Sequence, residues 1–227
     1  MKKGYILAAV VLMSAFSRPA SAQQFRFGIE AGGTISTSSW DLSSTQKKKS
    51  VGGFTVGITG EYEIFDNTWL QSGLSFETKG AKYKVGRETV QAGVLRDRTE
   101  SYRPMYVRIP ITVAYKFNLT DRIRFFVAGG GFLAQGIGGE YNYTYKYIQD
   151  GGGSRWEDEN ESKSVFSTGA LKRFDCGLNL GGGFEFGKLV LRVGYDWSLI
   201  DIVKDKTKLK ADEFKNRSLA IVAGLKF

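Results

Sequence analysis

The chain has 227 residues, of which 42% are hydrophobic and 14% aromatic, a size that suits one domain and a composition too apolar for a disordered chain. It holds 32 basic residues, 23 acidic residues and no histidine, which excludes the usual general base, most zinc chemistry and every Ser-His-Asp or Cys-His arrangement. A single cysteine, Cys176, excludes an intramolecular disulfide.

The first predicted element is a signal peptide over residues 1–22. Lys2 and Lys3 form a positive n-region, residues 5–16 form a short apolar h-region, and an Ala-Ser-Ala sequence provides the small-residue cleavage pattern. The apolar run is too short for a membrane-spanning helix. We therefore expect cleavage before Gln23.

Residues 23–227 are predicted to form one domain. Removing Lys2, Lys3 and Arg18 with the signal peptide leaves 29 basic and 23 acidic residues, a balance of +6. Both signs are interspersed along the chain, so no basic face for nucleic acid is indicated.

The rest of the chain shows a period of two, which is typical of β-strands. In the clearest segment, Val107, Ile109 and Ile111 alternate with Arg108 and Thr112. The glycine-rich fifth segment is apolar on both faces, and only Arg124 indicates that its odd positions point outward. The eight alternating segments are residues 26–35, 54–64, 70–79, 105–117, 123–135, 173–186, 189–198 and 218–227.

The connections between these segments alternate strictly between short and long. Short turns are predicted near residues 65–68, 118–121 and 187–188, whereas long polar connections are predicted over residues 37–50, 81–102, 136–172 and 200–215. Barrels of bacterial outer membranes have short periplasmic turns and long extracellular loops. The sequence therefore predicts an all-β, eight-stranded antiparallel up-and-down transmembrane barrel in the cell outer membrane, with both ends of the mature chain in the periplasm.

The polar face of each strand should then point into the lumen, because lipid covers the apolar face. An eight-stranded barrel is just wide enough for side chains to fill its interior. Opposite charges there are expected to pair, since a lone buried charge is costly. The predicted lumen charge network comprises Arg26, Glu30, Glu61, Glu63, Glu77, Lys79, Arg108, Lys116, Arg124, Arg173, Asp175, Glu185, Arg192, Asp196 and Lys226.

Several aromatic residues lie near predicted strand ends. Trp69, Tyr115, Tyr195 and Trp197 are candidates for the aromatic belts at the membrane surfaces, with ordinary strand packing as the alternative.

Five short sequences carry a family resemblance: YVRIPI followed by VAYKF, FVAGGG, DCGLNLGGGFE and the closing LAIVAGLKF. Through them the mature chain resembles the PorT-like porin family, small outer-membrane β-barrel proteins of Bacteroidota. The resemblance implies the barrel fold and a terminal assembly signal at Phe227 for the barrel-assembly machinery. A few members of this family belong to protein-secretion systems.

Three extracellular segments are candidate contact sites. Tyr141, Tyr143, Tyr145 and Tyr147 alternate along a predicted hairpin whose aromatic face is a possible contact for an extracellular partner or, alternatively, part of the upper aromatic belt. The acidic run in residues 150–161 lacks the spacing of a calcium loop and is interpreted as solvated. Lysines 47–49 are interpreted as a solvated loop, with contact to acidic surface lipids as the alternative.

The predicted function is a non-enzymatic outer-membrane barrel with a structural, surface-interaction or secretion-accessory role and a lumen plugged by charges. No cofactor or metal is expected, and the lipid of the outer membrane is the expected surrounding partner. The alternatives are a narrow porin that passes small solutes, a lipid-modifying enzyme with unrecognised chemistry, and a soluble lipocalin-like barrel with its apolar face inward.

Overall fold

The computed structural model describes residues 25–39, 47–91, 94–149, 154–157, 163–166, 171–204 and 214–227. Among these residues, no helix is long and apolar enough to cross a membrane. The predicted signal peptide and most of the acidic run lie outside the described residues. The strands are β1 (Phe25–Ser39), β2 (Lys47–Phe65), β3 (Thr68–Thr78), β4 (Ala81–Gln91), β5 (Val94–Asn118), β6 (Ile123–Gln149), β7 (Ser154–Glu157), β8 (Lys163–Ser164), β9 (Phe174–Phe186), β10 (Leu189–Ser198) and β11 (Lys215–Lys226).

Eight of these strands close into a ring. Antiparallel pairing runs β1–β2–β3–β5–β6–β9–β10–β11, and β11 pairs back onto β1 from Gly28 opposite Lys226 to Ser39 opposite Lys215. Joining the first strand to the last leaves the ring without an exposed edge, as the hydrocarbon layer of a membrane requires. The predicted eight-stranded barrel is confirmed.

The strands turn their apolar faces outward. On β5, Ile109, Ile111 and Val113 have 42%, 51% and 46% of their surface exposed, whereas Thr112 and Lys116 are buried at 4% and 1%. A soluble barrel would show the reverse arrangement, because water would cover its polar face. The outward apolar band therefore fits lipid and excludes the lipocalin-like alternative.

On β6 the even positions face the lumen. Phe126 and Phe132 are buried, whereas Phe125, Val127 and Leu133 point outward with partial or full exposure. This is the orientation that the position of Arg124 indicated. Since two phenylalanines enter the lumen here, the interior is less polar than the alternation of the other strands predicts.

Two of the predicted long connections are largely β-structure. Residues 81–91 and 94–103 form a hairpin that continues the sheet above the ring, and β6 runs unbroken to Gln149 beside it. The interpretation of residues 81–102 as a loop was wrong. Ala81, Tyr83 and Tyr102 at the base of this hairpin are buried inward, whereas the sequence further out shows no regular alternation. The ladder hydrogen bonds form in both parts, so the strands continue without a period of two.

A β-bulge marks the base of this extracellular extension. Between Met105 and Tyr106 the pairing with β6 shifts by one residue, and Gly139 there has a φ of 134°. A side chain rarely adopts this backbone conformation, and a Cβ on Gly139 would also lie 2.4 Å from the carbonyl oxygen of Arg103. The bulge changes which face of β6 points inward, since one extra residue reverses the alternation.

Candidate functional site in the barrel lumen

The half of the lumen near the short turns holds a compact cluster of charges, the lower cluster, formed by Arg26, Glu61, Lys116, Arg124, Glu185 and Lys226. The Lys116 Nζ lies 2.7 Å from Glu61 Oε1 and 2.9 Å from Glu185 Oε1. The Lys226 Nζ contacts the same two carboxylates, at 2.7 Å from Glu61 Oε2. Two ammonium groups thus bridge two carboxylates from four different strands, which ties opposite walls of the barrel together.

Two arginines complete the lower cluster at its open end. The Arg124 Nη2 lies 2.8 Å from Glu185 Oε2, and Arg26 Nη1 lies 3.9 Å from Glu61 Oε1. Both arginines remain partly exposed, whereas Glu61 and Glu185 are buried. The two buried carboxylates therefore form the centre of the lower cluster, and the lysine and arginine cations surround them.

Trp69 lies within the lumen and not in an aromatic belt. Its ring is 2% exposed, and the Lys116 Nζ and the Arg26 guanidinium carbon lie 4.2 Å and 4.5 Å from its centre. The belt prediction for Trp69 was wrong because Leu70, its neighbour, faces lipid, and alternation then sends Trp69 inward. Tyr115, Tyr195 and Trp197 do face outward and are exposed.

A second group of charges, the upper cluster, lies closer to the extracellular end and consists of Glu77, Lys79, Arg108 and Asp196. The Lys79 Nζ lies 2.9 Å from Glu77 Oε1 and 3.3 Å from Asp196 Oδ2. The Arg108 Nη2 lies 2.8 Å from Asp196 Oδ1, which also accepts a hydrogen bond from Asn179 at 2.6 Å. All four charged side chains are at most 9% exposed.

Two further acidic groups have partners of their own. Between the clusters, Arg192 Nη2 donates to both carboxylate oxygens of Glu30 at 2.6 Å. Asp175 is fully buried and accepts hydrogen bonds from Ser198 Oγ and Asn216 Nδ2, each at 2.9 Å. Among the described residues Asp175 forms no ion pair, and these two neutral groups are its hydrogen-bond donors.

Above the upper cluster, apolar side chains close the lumen, and we call this group the apolar cap. It joins inward residues of the extension to residues from the connections between strands. The packing is aromatic in large part, and Tyr102 stacks on Tyr141 with ring centres 4.7 Å apart. The cap consists of Ala81, Tyr83, Tyr102, Tyr106, Phe132, Ala134, Val165, Phe166, Leu171, Ile202, Val203 and Phe214, with Tyr141 and Ile200 packed against it.

Two predicted members of the lumen network lie apart from both clusters. Glu63 accepts a hydrogen bond from the backbone N–H of Asn67 at 3.1 Å, at the turn between β2 and β3. Arg173 is exposed at the other end of the barrel, where its guanidinium donates to the carbonyl oxygen of Gly136 at 3.2 Å and lies over the ring of Phe166. Alternation predicts which face of a strand a side chain lies on, but not its height along the barrel axis. The prediction therefore placed Glu63 and Arg173 in the charge network, although they lie near opposite ends of the barrel.

Uncharged residues that the network prediction omitted complete it. Asn179, Ser198 and Asn216 hydrogen bond to Asp196 or Asp175, and Gln71 Nε2 donates to Glu61 Oε2 at 3.1 Å. Each occupies an inward position of its strand, so the period of two was sufficient to find them.

The tyrosine row follows the reversed alternation above the bulge. Tyr141 packs on the apolar cap, and the ring centres of Tyr141, Tyr143, Tyr145 and Tyr147 are 5.3–6.4 Å apart in succession. The Arg96 guanidinium lies 4.8 Å from the centre of the Tyr145 ring. The row therefore extends the inner face of the extension and is half-buried, and its contact with an extracellular partner stays a prediction.

The described lumen contains a small cavity beside the lower cluster. This cavity of about 40 Å³ lies between the lower cluster and the Glu30–Arg192 pair, with Thr59 and Thr112 also in its wall. This volume has room for about three water molecules. The described residues contain no group of three or more His, Cys, Asp or Glu side chains that could hold a metal ion.

A closed antiparallel ring with an apolar exterior and a charged interior defines the class of transmembrane β-barrels. The chain belongs to the family described as outer membrane protein beta-barrel domain, whose model matches residues 20–204. It is an integral protein of the cell outer membrane, in a family of small barrels that are typically non-enzymatic. A comparison with curated proteins gave no significant match.

Several solved outer-membrane proteins are similar in structure. The attachment invasion locus protein Ail of Yersinia pestis is 16% identical, with 90% of this chain and 100% of that chain covered and a TM-score of 0.34. Neisserial surface protein A is 15% identical (88% and 97% covered, TM-score 0.41), and OprG of Pseudomonas aeruginosa is 12% identical (90% and 96% covered, TM-score 0.39). At these scores the likenesses add nothing to the fold, which follows from the closed strand order and the family match.

Proposed function

We propose that the protein is a non-enzymatic, non-conducting barrel with a structural or surface-interaction role in the outer membrane. The observation that carries this proposal is the filling of the lumen in layers. From the short turns upward, the lower cluster, the Glu30–Arg192 pair, the upper cluster and the apolar cap follow one another.

Each layer opposes ion flow for a different physical reason. In the two clusters, long side chains from opposite walls meet at hydrogen-bond distance, so a passing ion would have to break buried ion pairs. In the apolar cap, an ion would lose its hydration without gaining a polar partner.

The extracellular extension supports a surface role. The β4–β5 hairpin and the upper part of β6 continue the sheet well beyond the apolar band. Ordered strands keep a projecting surface rigid, which lowers the entropy lost when a partner binds. The narrower assignment to the PorT-like group of Bacteroidota, a secretion-accessory role and recognition of Phe227 by the assembly machinery are proposed from the sequence resemblance alone.

Planar lipid bilayers test the proposal. The purified barrel is added at the same molar amount as a general-diffusion porin, and its insertion is checked by the heat-dependent gel mobility of folded barrels. We expect no steady open-channel current from this protein while the porin conducts. Steady currents of defined size would refute the plugged lumen and would favour the alternative, a narrow porin for small solutes.

A further inference from the structure

Two lysines oppose each other directly on the outer surface of the extension. In the pairing of β2 with β4, Lys49 lies opposite Lys82, and two rungs further along the same ladder Lys47 lies opposite Lys84. Lys49 and Lys82 are both exposed. Residues directly opposite in an antiparallel pair have Cβ atoms about 5 Å apart, and like charges in such positions repel.

The surroundings add to the positive charge. Within the described part of the chain, neither Lys49 nor Lys82 has an ion-pair or hydrogen-bond partner. On β5, Ser101 pairs with Lys82, and the exposed Arg103 lies two residues further along the strand. Glu100, one rung from Lys82, lies on the inner face and accepts a hydrogen bond from the Tyr102 hydroxyl. On the outer face the nearest carboxylate in the ladder is Glu140, which lies opposite Arg103 on the side away from β4. We call Lys49, Lys82 and Arg103 the basic patch.

The position of the basic patch relative to the membrane follows from β5. The outward apolar positions run from Met105 to Phe117, twelve steps that span about 40 Å along the strand and about 28 Å in height at a tilt near 45°. This height is about the thickness of the hydrocarbon core, and the polar headgroup layer adds about 6 Å on each side. At this tilt Arg103 lies roughly 5 Å above Met105, within the headgroup layer, and Ser101 roughly 9 Å above it, just beyond that layer. The lysines at the level of Ser101 therefore reach the outer-leaflet headgroups through their long, flexible side chains.

We infer that the basic patch binds the phosphate groups of outer-leaflet lipids. A phosphate oxygen between the two ammonium groups replaces their repulsion by two charge-assisted hydrogen bonds, and lysine serves as a point-charge ligand for phosphate. The arginine offers a planar fork to the same group or to its neighbour. This inference rests on the outer-membrane location and not on whether the lumen conducts.

Native mass spectrometry of the full barrel in detergent micelles tests this, with phosphatidic acid as the probe and phosphatidylcholine as the reference lipid. The variant K49Q/K82Q removes the opposed lysines, and R122Q/K188Q removes two exposed bases at the short turns as a matched control. We expect phosphatidic acid affinity to fall by roughly fivefold for each lysine removed and to stay unchanged in the control. Heat-dependent gel mobility verifies that every variant is folded.

Three results would overturn the inference. Equal affinity of K49Q/K82Q and the wild-type protein would show that the patch binds no phosphate. An equal loss in both double variants would show a response to net charge alone. Complete displacement of phosphatidic acid by millimolar inorganic phosphate would show that free phosphate, and not a lipid headgroup, is the ligand.

Discussion

Lys79 is a shared cation of the upper cluster, with its Nζ 2.9 Å from Glu77 and 3.3 Å from Asp196. The substitution Lys79→Met removes a fully buried ammonium while keeping a stem of similar length beside the Phe132 ring, whose centre lies 4.5 Å from Nζ. Asp196 keeps Arg108 at 2.8 Å, but the remaining cation for Glu77 within the described residues is Arg108 Nε at 4.0 Å. Breaking a buried pair from one side costs about 3–5 kcal/mol, because the other charge stays buried.

Urea unfolding in phospholipid vesicles, followed by tryptophan fluorescence and gel mobility, measures the effect. We expect Lys79→Met to lower the free energy of unfolding by about 3–5 kcal/mol, and the double variant with Glu77→Gln to recover at least half of the loss, since the orphaned charge is gone. Lys188→Met, at an exposed turn, should change stability by less than about 0.5 kcal/mol. A loss below about 1 kcal/mol for Lys79→Met, or no recovery in the double variant, would show that the Lys79–Glu77 pair does not stabilise the barrel in this way.

Three more predictions concern single positions. Trp69→Ala should lower the free energy of unfolding by about 3–5 kcal/mol in the same urea assay, and Trp197→Ala on the lipid face should lower it by clearly less. Similar losses for the two variants would contradict the placement of Trp69 in the lumen and Trp197 on the lipid face. Gly183→Ala should sharply reduce the yield of heat-modifiable barrel, because its Cβ would lie 2.0 Å from the carbonyl oxygen of Leu191; a wild-type yield would show that the strands can separate there. Asp175→Asn should cost less than Asp175→Leu by about 1–3 kcal/mol, since the amide oxygen can still accept a hydrogen bond; equal losses would mean that the charge itself matters.

The strands of the ring were predictable because lipid enforces the period of two. On β5, every outward position from Ile109 to Phe117 is apolar, while Arg108, Thr112 and Lys116 point inward. The same rule sends Trp69 inward once Leu70 is assigned to lipid. The belt prediction for Trp69 was wrong because it relied on the position of Trp69 near a strand end and not on the alternation.

The apolar cap was not predictable by periodicity. Phe166, Leu171, Ile202 and Phe214 lie far apart in sequence, at the margins of polar connections, and they meet only because the closed ring brings those connections together. The strands of the extension were missed for a related reason, because the inward residues near its base, Ala81, Tyr83 and Tyr102, are too few to show a period of two within a polar connection. The sequence also could not predict which inward charges form ion pairs, because pairing depends on the height of each residue along the barrel axis.

Lipid covers one face of each strand and the filled lumen lies against the other, and two tryptophans on opposite faces provide a direct test of this arrangement. Variants that retain only Trp197 or only Trp69 are folded into vesicles of phosphatidylcholine with brominated acyl chains, which quench tryptophans in contact with lipid. We predict strong quenching of Trp197, which is 52% exposed on the outer wall, and little quenching of Trp69, which is 2% exposed between Arg26 and Lys116. Equal quenching of both, or stronger quenching of Trp69, would contradict the placement of Trp197 on the lipid face and Trp69 in the lumen.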